Sequence, residues 1–279
     1  MVLRRRRPQS ARERLERRAK EVRATAAELD LPWARSWAAR LVREWILLAL
    51  LTPIMIFYVH RRSAGAKKLG RVRGPVIFAA NHTSHLDTPV ILASLPRRFR
   101  KRTVVAAATD YFYQQRLAAA AVSLIFGTVP MDRSGGGLEQ KACAHVDRLL
   151  EDGWSLLLYP EGTRSRNGSP GRVRRGAAVL AKRHDLQIVP IRVEGTREAM
   201  PPGRFWPRRK HRRGRIPRRH PVKLTFGDPI PATEDPATVI ETVRRFFDGE
   251  EAPPRESDHS QNGSAPALDS EQQRSLTRN

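Results

Sequence analysis

Short apolar runs alternate with stretches of helical pattern from residue 71 onward, and this alternation restricts the fold more than any other feature of the chain. A short apolar run is typical of a strand covered on both faces of a sheet. Strands that alternate with helices at this spacing predict an α/β fold, here a central mixed sheet flanked by helices. The predicted strands are 76–80, 103–107, 154–159, 187–193 and 222–226, and the predicted helices lie near 88–95, 111–121, 138–151, 173–183 and 236–248.

An uncharged apolar segment, residues 45–59, precedes this pattern. Its 15 residues are fewer than the roughly 20 that a membrane-spanning helix needs, and Pro53 lies in its middle. It could be a buried core helix, or it could span a membrane by recruiting residues 33–39 at the cost of placing charged side chains in lipid. We favour a third interpretation, a monotopic helix pair with arginines toward anionic head groups and with tryptophans at the membrane interface, namely Trp33, Trp37 and Trp45.

Both ends of the chain are polar. Residues 11–30 have the pattern of a charged, solvated helix or a disordered arm, and few apolar residues follow Gly249. We therefore expect four parts: a basic polar arm over 1–32, a membrane-associated helical segment over 33–62, an α/β domain over 63–249 and a disordered polar tail over 250–279.

The positive charge is concentrated in two patches, residues 1–42 and residues 204–220. The chain has 52 Lys and Arg against 28 Asp and Glu, a net charge of +24, and residues 204–220 hold nine of these basic residues and no acid. Nucleic acid, anionic lipid and phosphorylated substrates all suit a basic patch. We favour an anionic phospholipid surface, with a phosphorylated or acidic partner as the alternative. We expect no nucleic-acid partner, because the basic segments lack interleaved aromatics beyond Phe205 and Trp206.

Several common classes of protein are excluded by what the sequence lacks. With the single cysteine Cys143, the chain cannot form an internal disulfide or a Cys-based zinc site. No apolar stretch follows the basic residues 1–7, so a cleaved signal peptide is not expected. The Walker A loop, the Gly-x-Gly-x-x-Gly fingerprint and the Gly-x-Ser-x-Gly nucleophile elbow are all missing.

The most informative motif is Asn-His-Thr-Ser-His-Leu-Asp over residues 81–87, directly after the first predicted strand. Ligands of α/β sheets bind at such strand ends. Asp87, followed by Thr88 and Pro89, reads as the N-cap of the next helix, which places His82 in the preceding turn. The carboxylate can then fold back onto the imidazole, and a histidine held by a carboxylate is the arrangement of a general base.

Other interpretations of this motif remain open from the residues alone. Asp87 could serve only as a helix cap while His82 bonds a turn. His85 could act as the base instead of His82. A metal site formed by His82, His85 and Asp87 is the weakest of these, because no further ligand cluster appears in the sequence.

Two more motifs follow apolar runs. In Tyr-Pro-Glu-Gly-Thr-Arg-Ser over residues 159–165, Gly162 lets backbone amides approach a ligand and Arg164 can bind a phosphate in bidentate fashion. In Gly-Thr-Val-Pro-Met-Asp-Arg over residues 127–133, Arg133 adds a cation. The motif over residues 159–165 could also be no more than a charged loop.

Together these motifs resemble the glycerolipid acyltransferases, best known from 1-acylglycerol-3-phosphate acyltransferases. Residues 81–87 are similar to their Asn-His-x-x-x-x-Asp block, and residues 159–165 to their Phe-Pro-Glu-Gly-Thr-Arg-Ser block with Tyr159 in place of Phe. Residues 127–133 resemble their second block and Ile-Val-Pro-Ile over 188–191 their fourth, in the family's order, over roughly residues 60–230.

The resemblance implies transfer of a fatty acyl group from acyl-CoA or acyl-carrier protein to a lysophospholipid hydroxyl, with 1-acylglycerol 3-phosphate as the expected acceptor. A lyso-aminolipid, a glycolipid or another lysophospholipid is the alternative acceptor. It further implies a catalytic pair of His82 and Asp87, no cofactor, no metal, and a location on membrane lipids at the cytoplasmic face of the cell membrane. The acceptor site implied by the family consists of Arg133, Glu161, Gly162, Thr163 and Arg164.

Overall fold

A computed structural model describes residues 30–108, 116–131, 144–165, 171–210 and 218–250. Nearly all of the expected polar tail and of the expected basic arm lie outside these residues, and so does Arg133.

A mixed sheet forms the centre of the fold, as the sequence predicts, and it has seven strands within the described residues where five were predicted. Strands β6 and β7 pair antiparallel, whereas all the other neighbouring pairs are parallel. The order across the sheet is β1-β7-β6-β2-β5-β3-β4. The strands are β1 (Val59–Ala64), β2 (Ile77–Ala80), β3 (Thr103–Ala108), β4 (Thr128–Met131), β5 (Ser155–Leu158), β6 (Ile188–Glu194) and β7 (His220–Phe226).

The described helices flank this sheet. One of them, Pro236–Asp248, has the bounds that the sequence predicts, because Asp235 caps its first turn through Ala237 N (2.9 Å) and Gly249 ends it in the left-handed conformation. The helices are α1 (Trp37–Tyr58), α2 (Asp87–Ser94), α3 (Arg97–Arg100), α4 (Arg116–Phe126), α5 (Ala144–Glu151), α6 (Gly176–Arg183), α7 (Thr196–Ala199) and α8 (Pro236–Asp248), with 3-10 turns at Pro32–Arg35 and Ala66–Arg71.

The central strands are buried on both faces, which explains their continuous apolar sequences. In β2, Phe78 and Ala80 pack in one core cluster with side chains of α1 and α2. Ile77 and Ala79 point to a second cluster with side chains of α5, α6 and α8. The sheet is therefore the middle of three layers.

The two edge strands have no such sequence signal. In β1 only Val59 is buried, so its polar sequence gives no apolar run, although six of its residues pair with β7. The sheet thus begins at Val59, before the boundary expected at residue 63. Strand β4 contains Pro130, which an edge strand tolerates because one side of its backbone needs no ladder hydrogen bond.

The apolar N-terminal segment is one helix rather than the expected helix pair. Helix α1 runs without interruption from Trp37 to Tyr58 and is 22 residues long, enough by length and composition to cross a membrane. Pro53 does not break it, because a π-helical stretch over Ile46–Leu51 comes just before it. Thr52 donates both its backbone N–H and its hydroxyl (2.7 Å) to Leu47 O, which satisfies the carbonyl at this irregular turn.

Candidate active site

The motifs at 81–87 and 159–165 meet a third segment, which contains Thr196, at the carboxyl ends of three adjacent strands. His82 follows β2, Glu161 follows β5, and Thr196 follows β6 after the turn residue Gly195. Strand β2 lies between the other two, so its extension, residues 81–87, is contacted from both sides. This is the end of an α/β sheet at which ligands bind.

His82 and Asp87 form the hydrogen-bonded pair that the sequence predicts. The distance from His82 Nδ1 to Asp87 Oδ2 is 2.9 Å, and the Asp87 side chain is completely buried while that of His82 is 14% exposed. The carboxylate accepts a hydrogen bond from Nδ1–H, which leaves Nε2 as the ring nitrogen with a lone pair. The geometry is therefore that of an oriented general base.

The remaining capacity of the Asp87 carboxylate is taken up by three further donors. Oδ2 accepts from the backbone N–H groups of Thr83 (2.7 Å) and Ser84 (2.8 Å), and Oδ1 accepts from the hydroxyl of Thr196 (2.5 Å). The carboxylate thus points back into the turn before α2. The N-cap position belongs to Leu86, which has no side-chain cap, so the expected capping role of Asp87 is wrong.

Glu161 holds the backbone of His82 in place. Its Oε1 accepts from His82 N (3.1 Å), and its Oε2 accepts from Gly171 N (2.7 Å). The same loop also bonds the carbonyl of this residue, since Ser165 N donates to His82 O (2.8 Å). Burial raises the pKa of Glu161, although the N–H groups of Gly171 and His82 act in the opposite direction. Both carboxylate oxygens are used within the protein, which favours a positioning role.

Tyr159 packs beside the imidazole of His82. Its ring stacks on that of His82, with ring centroids 3.9 Å apart and the planes inclined by 20°. The phenol lies 2.6 Å from Thr88 Oγ1, and burial raises the pKa of Tyr159 far above its usual range, so the group stays neutral. The stack limits rotation of the imidazole.

Arg164 reaches the same site through His85. Its Nη1 lies 2.7 Å from His85 Nε2, which must accept because guanidinium has no lone pair to offer. Burial, followed by the charge of Arg164, lowers the pKa of His85 to about 4, so the ring is neutral at physiological pH. His85 therefore anchors the arginine that the sequence assigns to a phosphate.

The other predicted binding residues lie around this arginine or outside the described part of the chain. Gly162 has a φ of +77°, and a Cβ on it would come within 2.9 Å of the guanidinium carbon of Arg174. Thr163 is exposed at the loop surface. Arg133 lies outside the described residues. No group of three or more His, Cys, Asp and Glu within the described residues is arranged to hold a metal ion.

Sequence reasoning missed two residues that fix the site. Asn81 bonds the backbone of Val193 twice, accepting from its N–H (2.7 Å) and donating to its carbonyl (2.9 Å), and so joins the end of β2 to β6. Thr196 is far from the motif along the chain, and a single Thr after Gly carries no recognisable signal. Only the pairing of β6 with β2 reveals its contact with Asp87.

Comparison with known proteins gives one family. A family model described as Acyltransferase matches residues 58–194. The chain is 31% identical over 139 residues to the chloroplastic 1-acyl-sn-glycerol-3-phosphate acyltransferase LPAT1 of Arabidopsis thaliana, a match that covers 50% of this chain and 37% of that protein. It is 31% identical over 121 residues to 1-acyl-sn-glycerol-3-phosphate acyltransferase alpha of Homo sapiens, covering 42% of this chain and 40% of the human protein. The chain thus spans about two-fifths of the length of these relatives.

A solved structure has the same fold. The crystal structure of the 1-acyl-sn-glycerophosphate acyltransferase PlsC of Thermotoga maritima superposes with a TM-score of 0.54 over 81% of this chain and 85% of that one. At 19% sequence identity the likeness extends to the fold alone.

Proposed function

Because the chain belongs to the glycerolipid acyltransferase family, we propose that it transfers a fatty acyl group from a thioester to the free hydroxyl of 1-acylglycerol 3-phosphate, giving phosphatidate. The observation that carries this proposal is the 2.9 Å contact between His82 Nδ1 and the buried carboxylate of Asp87 at the sheet edge. The named activity of the relatives supports the choice of acceptor.

His82 acts as the general base in this proposal. Its Nε2 takes the proton of the acceptor hydroxyl as the oxygen attacks the thioester carbonyl carbon. The C–S bond then breaks, and the departing thiolate takes the proton from the imidazolium. Asp87 fixes the tautomer and stabilises the imidazolium, and neither a covalent acyl-enzyme nor a metal or cofactor enters the scheme.

The acceptor's phosphate binds at the loop that follows β5. Arg164 is already held at the site by His85, so its guanidinium is pre-positioned for phosphate oxygens. Gly162 and Thr163 supply the adjacent backbone and hydroxyl, and Arg133 is assigned to the same phosphate from the motif alone. Glu161 takes part indirectly, by holding the His82 peptide.

The acyl donor, acyl-CoA or acyl-carrier protein, reaches this site at a membrane surface. Helix α1 supports this, because its outer face is apolar while its charges point inward: Trp37 and Trp45 are 70% and 73% exposed, whereas Arg43 is buried. The Arg43 guanidinium donates to the carbonyls of Ala34 (2.5 Å), Ser123 (3.0 Å) and Leu124 (2.9 Å). A helix packed along one face and apolar along the other suits embedding in one leaflet, and we place the protein on the cytoplasmic side.

The experiment is a product assay with the purified chain in phospholipid vesicles, supplied with oleoyl-CoA or oleoyl-carrier protein and a panel of acceptors. We expect free thiol and phosphatidate to appear together when lysophosphatidate is the acceptor. Activity only with another lysophospholipid, a lyso-aminolipid or a glycolipid would retain the mechanism and overturn the assigned acceptor. Thiol release with no acceptor dependence would overturn acyl transfer.

A further inference from the structure

The basic segment after α7 is a fixed structural element in its described part. We call residues 204–210 together with Arg218 and Arg219 the strap. Arg208 N donates to Ala199 O (2.7 Å), and Lys210 and Arg218 exchange two backbone hydrogen bonds (2.7 and 3.0 Å). The strap is therefore bonded to α7 through Arg208, and its two parts are bonded to each other through Lys210 and Arg218.

One side of the strap holds the last turn of α1. Trp206 Nε1 donates to the hydroxyl of Tyr58 (2.9 Å), and their rings meet edge to face at 6.2 Å. The guanidinium of Arg209 lies 5.0 Å from the centre of the Phe57 ring, and Arg219 donates to the backbone carbonyl of Ile56 (3.3 Å). The strap is thus continuous with the outer apolar face of the helix.

The other side of the strap reaches the active site. The ring of Phe205 lies parallel to that of His85, with centroids 6.1 Å apart and the planes inclined by 16°. His85 is the residue that anchors Arg164. The strap therefore joins the proposed phosphate site to the end of α1.

The exposed side chains of the strap combine aromatic rings with positive charge. Phe205 and Trp206 are 83% and 58% exposed, next to the exposed Ile56 and Phe57 of α1. The basic residues are Arg204, Arg208, Arg209, Lys210, Arg218 and Arg219, and the strap contains no acid. Aromatic rings that lie beside arginines and an apolar helix face suit the boundary between lipid tails and phosphate head groups. A soluble acidic protein would leave the apolar face of α1 in water.

We propose that the strap is a lipid-binding surface for anionic phospholipid head groups that sets the mouth of the His82 site against the bilayer. This inference goes beyond membrane association by α1, and it rests on the proposed function only for the part that concerns the active site. Head-group binding itself is measured without any catalysis.

The test compares two charge-matched double variants by co-sedimentation with vesicles of phosphatidylcholine alone or mixed equally with phosphatidylglycerol. Arg208→Gln with Arg218→Gln removes two strap charges. Arg148→Gln with Lys182→Gln removes two exposed charges on α5 and α6, which pack on the sheet face opposite α1. Each basic side chain near an anionic surface strengthens binding about fivefold. The strap variant, which lacks two of them, should therefore bind the mixed vesicles roughly 30-fold more weakly. The control variant should bind as wild type does, and neutral vesicles should show no difference.

Equal weakening of both variants, or unchanged binding of the strap variant, would overturn the proposal. A second variant, Phe205→Ser, should weaken binding to both kinds of vesicle by about tenfold, because it removes one aromatic ring from the interface.

A kinetic control tests whether the strap binds the acyl donor. With a short-chain acceptor and no vesicles, the Arg208→Gln, Arg218→Gln variant should have the same KM for acyl-CoA and for acyl-carrier protein as wild type. A raised KM there would assign the strap to the donor instead. Vesicle binding without any acyl transfer by wild type would overturn the proposed function and leave the strap assignment intact.

Discussion

The proposed catalytic pair, His82 and Asp87, depends on a residue that no motif contains. Thr196 supplies the donor to Oδ1 of the fully buried Asp87, while the other oxygen serves His82 and two backbone N–H groups. A buried carboxylate keeps one orientation only when all its acceptor positions are satisfied. The role of Thr196 is thus to position the group that positions the base.

We therefore expect Thr196→Val to reduce both activity and stability. The substitution keeps the side-chain shape but leaves Asp87 Oδ1 without its donor, which costs about 1–3 kcal/mol in the free energy of unfolding. Urea denaturation and kcat measure the two effects, and Thr196→Ser should restore both. A Val variant as stable and active as wild type would contradict this role.

His85 gives a pH-dependent contribution to stability. Its pKa is lowered from 6.5 to about 4 in the folded protein, chiefly by burial and then by Arg164 and His82, with Asp87 acting in the opposite direction. The folded state therefore binds fewer protons than the unfolded state between these values. The stabilisation is complete above pH 6.5 and is lost as the pH falls toward 4. The difference in unfolding free energy between wild type and His85→Gln should shrink over this range, and a constant difference would contradict the assignment.

At the scale of elements, the sequence predicts what is buried and misses what lies at an edge. Strands β2, β3 and β5 follow from their apolar runs, and α8 follows from its helical pattern. Strand β1 could not be predicted, because its exposed His-Arg-Arg sequence reflects an edge position that only its partner β7 reveals. The continuity of α1 depends on the π-helical stretch before Pro53. From the sequence, Pro53 alone predicts a break in the helix.

Comparing two glycines tests whether the turn between β6 and α7 needs a residue without a side chain. Gly195 has a φ of +84°, and a Cβ there would lie 2.1 Å from the backbone oxygen of Pro221, whereas Gly74 has a φ of +80° and open space around it. Gly74→Ala should cost only the left-handed backbone penalty of about 1 kcal/mol. Gly195→Ala should cost more than about 2 kcal/mol, because the β6–β7 pair must also shift. Thermal unfolding compares the two, and equal losses would show that the close approach does not matter.

Helix α1 provides a test of membrane embedding. Trp45→Glu with Leu48→Glu changes two exposed side chains of its outer face, so the fold should persist in detergent while partition to neutral vesicles falls by more than tenfold. Circular dichroism and vesicle flotation measure fold and partition. Unchanged flotation would contradict embedding through this face.

In the whole molecule, the strap links the proposed active site to the apolar outer face of α1. The carboxyl ends of β2, β5 and β6 carry the base and the proposed phosphate site, and the strap connects them to the outer face of α1. The family motifs predict the chemistry from sequence, since they state which side chains occur together. They do not predict Thr196, the contact between His85 and Phe205, or the inward charges of α1, because these depend on distant segments packed in three dimensions.

The role of His82 is tested most directly by thioester cleavage in vesicles. Wild type, His82→Ala and His60→Ala are compared with lysophosphatidate as acceptor. His60 is an exposed histidine of β1, far along the sheet from β2, and serves as the matched control. Loss of a general base should lower the rate by roughly 10²–10⁴. We predict that loss for His82→Ala, together with wild-type rates for His60→Ala and native unfolding curves for both. A fully active, correctly folded His82→Ala would contradict the central claim that His82 is the catalytic base.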